Sequence, residues 1–222
     1  MRVFIGWDPR EASAFRVCEA SLRKHASAPI DVQRLDLTDL RARGIYTRAH
    51  EVREGRLWDV ISEQPMSTDF AISRFLVPHL CGYKGWALYC DCDFLWRDDV
   101  AKLFALARME YAVMVVKHKY ITSETKMDAQ INVRYRRKNW SSLMLFNCGH
   151  DFNSRLKPVM VNTWHRRDLH GFTWLHDWHI GELPFEWNWL ALEPRAVHFT
   201  QGTPDVAGYE NAAYADEYRS YL

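Results

Sequence analysis

The 222-residue chain has almost no net charge: 29 Lys and Arg stand against 28 Asp and Glu, for a formal +1. That balance gives no global electrostatic argument for nucleic acid or a membrane surface, so any partner preference must come from local patches. There is no run of about 18 apolar residues and no basic stretch followed by an apolar leader, so neither a membrane span nor a signal peptide is expected. Cysteine is sparse. The five, Cys18, Cys81, Cys90, Cys92 and Cys148, are odd in number and scattered, mostly within apolar runs. This suits reduced, buried thiols in a cytoplasmic protein better than a disulfide framework. Cys90 and Cys92 bracket Asp91, but no second Cys or His pair with zinc-finger spacing follows, which argues against structural zinc. G-x-G-x-x-G, G-x-x-x-x-G-K and H-E-x-x-H are all missing, so dinucleotide-binding, P-loop and zincin readings fail.

What the chain does have is apolar content of 48% and enough length for one ordinary domain with a full core. Aromatic residues reach 14%, and a late set, Trp164, Trp174, Trp178, Trp187 and Trp189, is interleaved with polar residues. Any single Trp is best read as core; as a set they suggest a cleft that stacks against sugar faces.

The stretch at residues 85–96, GWALYCDCDFLW, organises the rest. An apolar strand there runs into Asp91 and Asp93, and an open α/β sheet delivers ligands to the carboxyl ends of its strands. In an extended segment residues two apart share a face, so both carboxylates can meet one hard cation. Arg97-Asp98-Asp99 follows, with Asp98 or Asp99 as the N-cap of a helix reaching Ala107.

Upstream, RVFIGW (2–7) reads as a first, central strand. Asp8-Pro9-Arg10-Glu11 reads as N-cap, first helical position and capping-box acid, opening a helix to about Ala26 that buries Ala14, Val17, Cys18 and Leu22. IDVQRLDL (30–37) alternates as a half-buried strand, completing a βαβ unit. Residues 41–65 look like a loop with a short helix. STDFAISRFLVPHL (67–80) predicts a helix in which Arg74 is either solvent-facing or reaches a cleft to hold an anionic or ribose-bearing ligand. Further strands are expected at 111–117, 139–148 and 196–199, with a helix at 155–167. The basic run from Arg134 to Lys138 is a solvated face, an anionic acceptor site or a peripheral contact with the inner membrane face. Asp177, between His176 and Trp178, sits in the kind of aromatic setting that tunes acid, base or nucleophile. His198 is structural by default and a third metal ligand if it lies near the two aspartates.

FIGWDPRE, DFAISRFLVPHL leading to ALYCDCDFLW, NWSSLMLFN and VHFTQGTP occur in an order that resembles GT-A-fold glycosyltransferases, most closely retaining glycosyltransferase family 8, over most of residues 1–204. The resemblance implies one α/β GT-A (Rossmann-like) domain with a mixed, mostly parallel central sheet flanked by helices. Residues 1–93 would be its nucleotide-binding half, 94–204 the half for acceptor and donor sugar, and 205–222 a tail ending in a short helix. It implies Mn²⁺ or Mg²⁺ held by Asp91, Asp93 and His198 on the diphosphate of a nucleotide sugar. Gly6, Trp7 and Asp8 would line the nucleoside pocket and Arg74 would face the donor. Asn139, Ser141 and Gly202 would contribute to the donor site, and Asp177 would lie beneath the reacting sugar carbon. Two departures stand out. Gln201 displaces Gly202 and no Lys follows, and the family's Asn-x-Gly element is replaced by Asn139-Trp140-Ser141-Ser142.

The expected activity is therefore metal-dependent transfer of a hexose from a nucleotide sugar, with UDP as the expected nucleotide. The acceptor would be a saccharide or lipid-linked molecule, with retention of configuration. The alternatives are a nucleotide-sugar-binding protein without turnover and a sugar-phosphate nucleotidyltransferase. The latter calls for a Gly-rich basic loop after strand one, which DPRE is not.

Overall fold

The computed structural model describes residues 1–118, 137, 139–188 and 194–222. In chain order these form β1 (Arg2–Trp7), α1 (Ala12–His25), β2 (Asp31–Asp36), α2 (Leu37–Ala42), β3 (His50–Arg53), β4 (Arg56–Asp59) and β5 (Gln64–Pro65). Then come β6 (Trp86–Cys90), β7 (Phe94–Trp96), β8 (Val113–Val115), β9 (Leu143–Asn147), β10 (Ile180–Glu182) and β11 (Ala196–His198), with short helices between them.

Among the described residues, six strands make one sheet in the order β10-β8-β9-β6-β1-β2. β9 runs antiparallel to both its neighbours and the remaining pairs are parallel. The central strands are apolar on both faces, as a sheet covered on both sides requires: Val3, Phe4 and Ile5, Ala87 to Cys90, and all of β9 are buried. α1 buries Ala14, Val17, Cys18 and Leu22, the predicted set, the first, third and fourth in the main core and Val17 in a smaller second one. Ile5 pairs with Cys90, so the turn beginning at Asp8 and the turn beginning at Asp91 emerge side by side at one sheet edge. The mixed, mostly parallel sheet flanked by helices is the expected architecture.

Several boundaries differ from the sequence reading. Residues 50–65 form a three-stranded antiparallel sheet, β3-β4-β5, where a loop was expected; these strands are short and charged and carry too little apolar alternation to signal themselves. The predicted helix at 67–80 is three pieces, Phe70–Ser73, a 3₁₀ turn Arg74–Leu76, and Val77–Leu80. Pro78 lacks the N–H that would reach the Arg74 carbonyl, and Val77 bonds it instead in 3₁₀ fashion. The helix expected at 155–167 is likewise split into Pro158–Thr163 and Arg166–His170, the second capped by the His165 ring. A 3₁₀ turn, Trp140–Ser142, precedes β9.

The late tryptophans correct the sugar-cleft expectation. Trp174 and Trp187 are buried in the main core, against Phe75 and Trp96 respectively, and Trp164 packs at its margin. Trp178 alone of the described set is largely exposed, at 68%, and stacks on His176. Trp189 and the basic positions of 134–138 other than Arg137 lie outside the described residues. All five cysteines are free and buried, as expected. No described helix is long and apolar enough to cross a membrane.

The small sheet is fastened by a buried ion pair. Arg48 donates to both Asp59 oxygens at 2.7 Å, to Ser62 Oγ at 3.1 Å, and to the carbonyls of Val161 and Trp164 at 2.9 and 2.7 Å. Removing the cation strands a buried carboxylate, and breaking such a pair costs about 3–5 kcal/mol. Arg48→Ala is expected to lower unfolding stability by that amount in a urea titration. Replacing Arg48 and Asp59 together with apolar residues should recover much of the loss.

Candidate functional site

The apolar strand β6 ends at Cys90, and the chain turns rather than continuing extended. Asp91 donates its N–H to the Ser142 carbonyl at 2.9 Å, Cys92 is fully buried, and Asp93 lies in the turn before β7. The carboxylates therefore meet through a turn and not through strand alternation. The third member arrives from the far end of the chain. β11 pairs antiparallel with β7 so that His198 lies opposite Phe94, and the Phe199 N–H bonds the Asp93 carbonyl at 3.0 Å. Ligating atoms of Asp91, Asp93 and His198 all fall within 4.8 Å of one another.

Two carboxylates and an imidazole suit Mn²⁺ or Mg²⁺, and one atom marks the fit. Asp93 Oδ1 is shut off from water and makes no hydrogen bond, although His198 Nε2 lies 3.2 Å away. A buried anionic oxygen without a donor is costly, and a cation satisfies it.

Neighbouring groups hold these side chains in place. Asp91 Oδ1 accepts the Tyr89 hydroxyl at 2.7 Å and lies 2.9 Å from Arg74 Nη1. Arg74 is buried and also donates to the Phe70 and Ser141 carbonyls, at 3.2 and 2.9 Å, with its guanidinium over the Tyr89 ring. It is neither solvent-facing nor a bare cleft residue; it anchors Asp91. Burial raises the Asp91 carboxyl pKa above the usual carboxylate range, against the pull of Arg74. Burial pulls the His198 imidazole down, but the adjacent Asp93 carboxylate outweighs it and leaves the pKa raised. The Phe94 ring stacks on His198, centroids 4.4 Å apart.

The other predicted residues fall as follows. Gly6 lies in β1 against Phe70, whose ring would stand 2.5 Å from an added Cβ. Trp7 is half-buried, edge-on to Phe15 and covered by the Arg34 guanidinium at 4.4 Å. Asp8 is buried, accepting the Arg10 N–H and Nε at 2.9 Å and the Asp69 N–H at 3.1 Å, as the N-cap of a 3₁₀ turn. Glu11 does not close a capping box. It accepts the Cys92 thiol at 2.9 Å, and burial together with the charges of Asp93, Asp8 and Asp91 raises its pKa to about 7. Asn139 adopts the left-handed conformation, φ 64°. Ser141 is buried, its Oγ 2.8 Å from His170 Nδ1. Asp177 is not part of the Asp91, Asp93 and His198 cluster; its side chain is 62% exposed and ion-paired to Arg137.

Beside His198 opens a cavity of about 240 Å³, bounded by Asn139, Asn188, Gly202 and His118 and, from the tail, Tyr209, Ala212 and Ala213. Burial, then the neighbouring His198 charge, lowers the His118 pKa to about 4. His118, Asn188, Glu11 and the tail were not identified from sequence. Only the tail carried a signal, its density of tyrosines: Tyr218, in the terminal helix Ala215–Arg219, packs on Phe199 and donates to Asp205 at 3.0 Å.

No protein-family profile matches the chain. Protein CDI of Arabidopsis thaliana is 41% identical over 227 aligned positions, covering 97% of this chain and 83% of that protein. The chain belongs to the Protein CDI family. Among solved structures, this family member superposes on the WbbM bifunctional glycosyltransferase with a TM-score of 0.63 and 14% identity, across 100% of its own length and 51% of the other chain. Galactosyltransferase LgtC, solved with donor and acceptor sugar analogs, gives 0.62 and 13%, covering 100% and 95%. GlyE of Streptococcus pneumoniae TIGR4 gives 0.60 and 14%, covering 99% and 60%. The chain thus spans about half of WbbM and most of LgtC. At these identities the likeness is one of fold, and the fold is GT-A-like.

His170 offers a pH test of the site's packing. Burial, then the Arg74 charge, holds its pKa well below the ordinary value, so the folded protein keeps it neutral. The unfolded chain takes up that proton near pH ~6.5. Stability from this group is therefore full above about 6.5 and falls as pH drops below it, by at most about 1.4 kcal/mol per pH unit. Thermal unfolding between pH 7 and 5 is expected to show a larger acid-side loss for wild type than for His170→Gln.

Proposed function

We propose that the protein is a metal-dependent glycosyltransferase that moves a hexose from a nucleotide sugar to a saccharide or lipid-linked acceptor. The observation that carries this reading is the convergence of Asp91, Asp93 and His198 at the carboxyl edge of a GT-A-like sheet. Similarity in fold to LgtC, solved with donor and acceptor sugar analogs, supports the substrate class. In this reading the cation is Mn²⁺ or Mg²⁺, and it stabilises the negative charge that develops as a nucleoside diphosphate departs.

The chain's own residues do the rest. Arg74 and Tyr89 fix Asp91 so that its carboxylate is aimed before any ligand arrives. Trp7, beside the turn that Asp8 holds shut, supplies a flat face at the nucleoside end, with Gly6 allowing Phe70 to close in behind it. The cavity beside His198 accepts the donor, with Asn139 and Gly202 at its wall and the 205–222 segment as its cover; Ser141 acts from behind by holding Arg74. We assign the nucleoside to residues 1–93 and the sugars to 94–204. UDP as the nucleotide, retention of configuration as in glycosyltransferase family 8, and a cytoplasmic site of action with acceptor or membrane contact at 134–138 complete the reading. Asp177 is the candidate for stabilising an oxocarbenium-like centre, its charge balanced by Arg137 until substrate binds.

Calorimetric titration of UDP should show binding that requires Mn²⁺ and weakens at least about 100-fold in Asp93→Asn, the loss of one charged ligand costing a few kcal/mol. Binding indifferent to both would sink the donor-site reading. In a donor-hydrolysis assay with UDP-sugars, Asp177→Asn is expected to lower kcat by about 100-fold or more while leaving UDP affinity within about threefold. Equal kcat would remove Asp177 from the mechanism, and binding without hydrolysis in wild type would make the protein a nucleotide-sugar binder.

A further inference from the structure

His198 Nδ1 lies 2.9 Å from Asn188 Oδ1, Asn188 Nδ2 lies 2.9 Å from Ser142 Oγ, and Ser142 Oγ lies 2.9 Å from the Asn139 carbonyl. All of these are buried, Asn188 to 1% exposure, apart from Asn139, which sits in the left-handed conformation that presents its carbonyl to Ser142. The direction of every bond in this chain follows from its last member. A carbonyl only accepts, so the single Ser142 proton is committed to Asn139. Ser142 Oγ must then accept from Asn188, and the group facing it is the amide nitrogen. The amide oxygen is left for the imidazole, so Nδ1 carries a proton and donates it.

We propose that Asn188 is a positioning residue that holds His198 in the Nδ1–H form, so that its Nε2 lone pair faces Asp93 and a divalent cation. The inference rests on the metal-site reading above. The partner of a ligating imidazole's second nitrogen sets which nitrogen binds metal and how the ring is oriented. The alternative tautomer would turn an Nε2–H toward Asp93 Oδ1 and leave no lone pair for a cation held between them. It would also break the bond to Asn188. Phe94, stacked flat on the ring, limits tilting, so the hydrogen bond and the stacking together leave one orientation.

The test measures metal affinity and protonation directly. Calorimetry with Mn²⁺ alone is expected to show about 10–100-fold weaker binding in Asn188→Leu, which keeps the side-chain volume, and near wild-type or stronger binding in Asn188→Asp, which keeps the acceptor. Ser142→Ala, which frees the amide to flip without emptying the core, should give a smaller loss. Two-bond ¹⁵N couplings of the metal-free protein, recorded where the imidazole is neutral, should report Nδ1–H in wild type and a shift towards Nε2–H in Asn188→Leu. Unchanged Mn²⁺ affinity in a folded Asn188→Leu, or an Nε2–H tautomer in wild type, overturns the inference while Asp93→Asn still abolishes binding. A wild type that binds no Mn²⁺ overturns the metal-site reading itself.

Discussion

The arrangement depends on a cost: carboxylates at the end of a strand that is buried on both faces have been taken out of water and must be paired. Asp91 meets that cost with Arg74 and the Tyr89 hydroxyl, Asp8 with Arg10 and backbone N–H groups, and Glu11 with the Cys92 thiol, whereas Asp93 has only the nearby His198 ring and keeps one buried oxygen without a hydrogen bond. Each solution recruits a different segment. Arg74 alone joins the broken helix at 70–80, the end of β6 and the turn before β9. Such groups rarely stabilise a fold in net terms; they specify which arrangement of its segments is acceptable.

Delivery of His198 makes a second core necessary. β7 and β11 stand apart from the main sheet, and Leu95, Val197 and Phe199 pack with Val17 of α1 and Tyr218 of the terminal helix. The tail is therefore part of the site's support as well as a wall of the cavity. Ser21 Oγ, accepting the Trp96 N–H at 3.1 Å, ties α1 to the same small sheet.

Kinship and fold carry different weight. Identity of 41% across nearly the whole chain establishes membership of the Protein CDI family, whereas 13–14% identity to WbbM, LgtC and GlyE establishes architecture. GT-A-like sheets host many acceptors, so the features that bear on this chain's own site are local: a His198 strand followed by Gln201-Gly202, a cavity lined in part by Tyr209, and a buried Asn188 beside His198.

Much of this was legible in the linear chain. The strands at 2–7 and 86–90 are apolar runs with nothing to compete with a buried sheet, the α1 face follows a 3.6-residue period, and Asp-x-Asp after such a strand places two carboxylates at the sheet edge whatever the loops do. The sequence alone thereby determined the fold class and the sheet edge at which Asp91 and Asp93 lie, and it marked His198 as a candidate ligand on the condition that the two aspartates lie nearby. Tertiary structure decided what those residues face. It turned Arg74 inward, sent Glu11 to Cys92 instead of a capping box, left Asp177 at the surface beside Arg137, and buried Trp174 and Trp187 in the core. It also brought Asn188 and Tyr209 to the cavity. These outcomes are set by contacts between residues far apart in the chain, and local spacing holds no record of which distant partner offsets a buried charge.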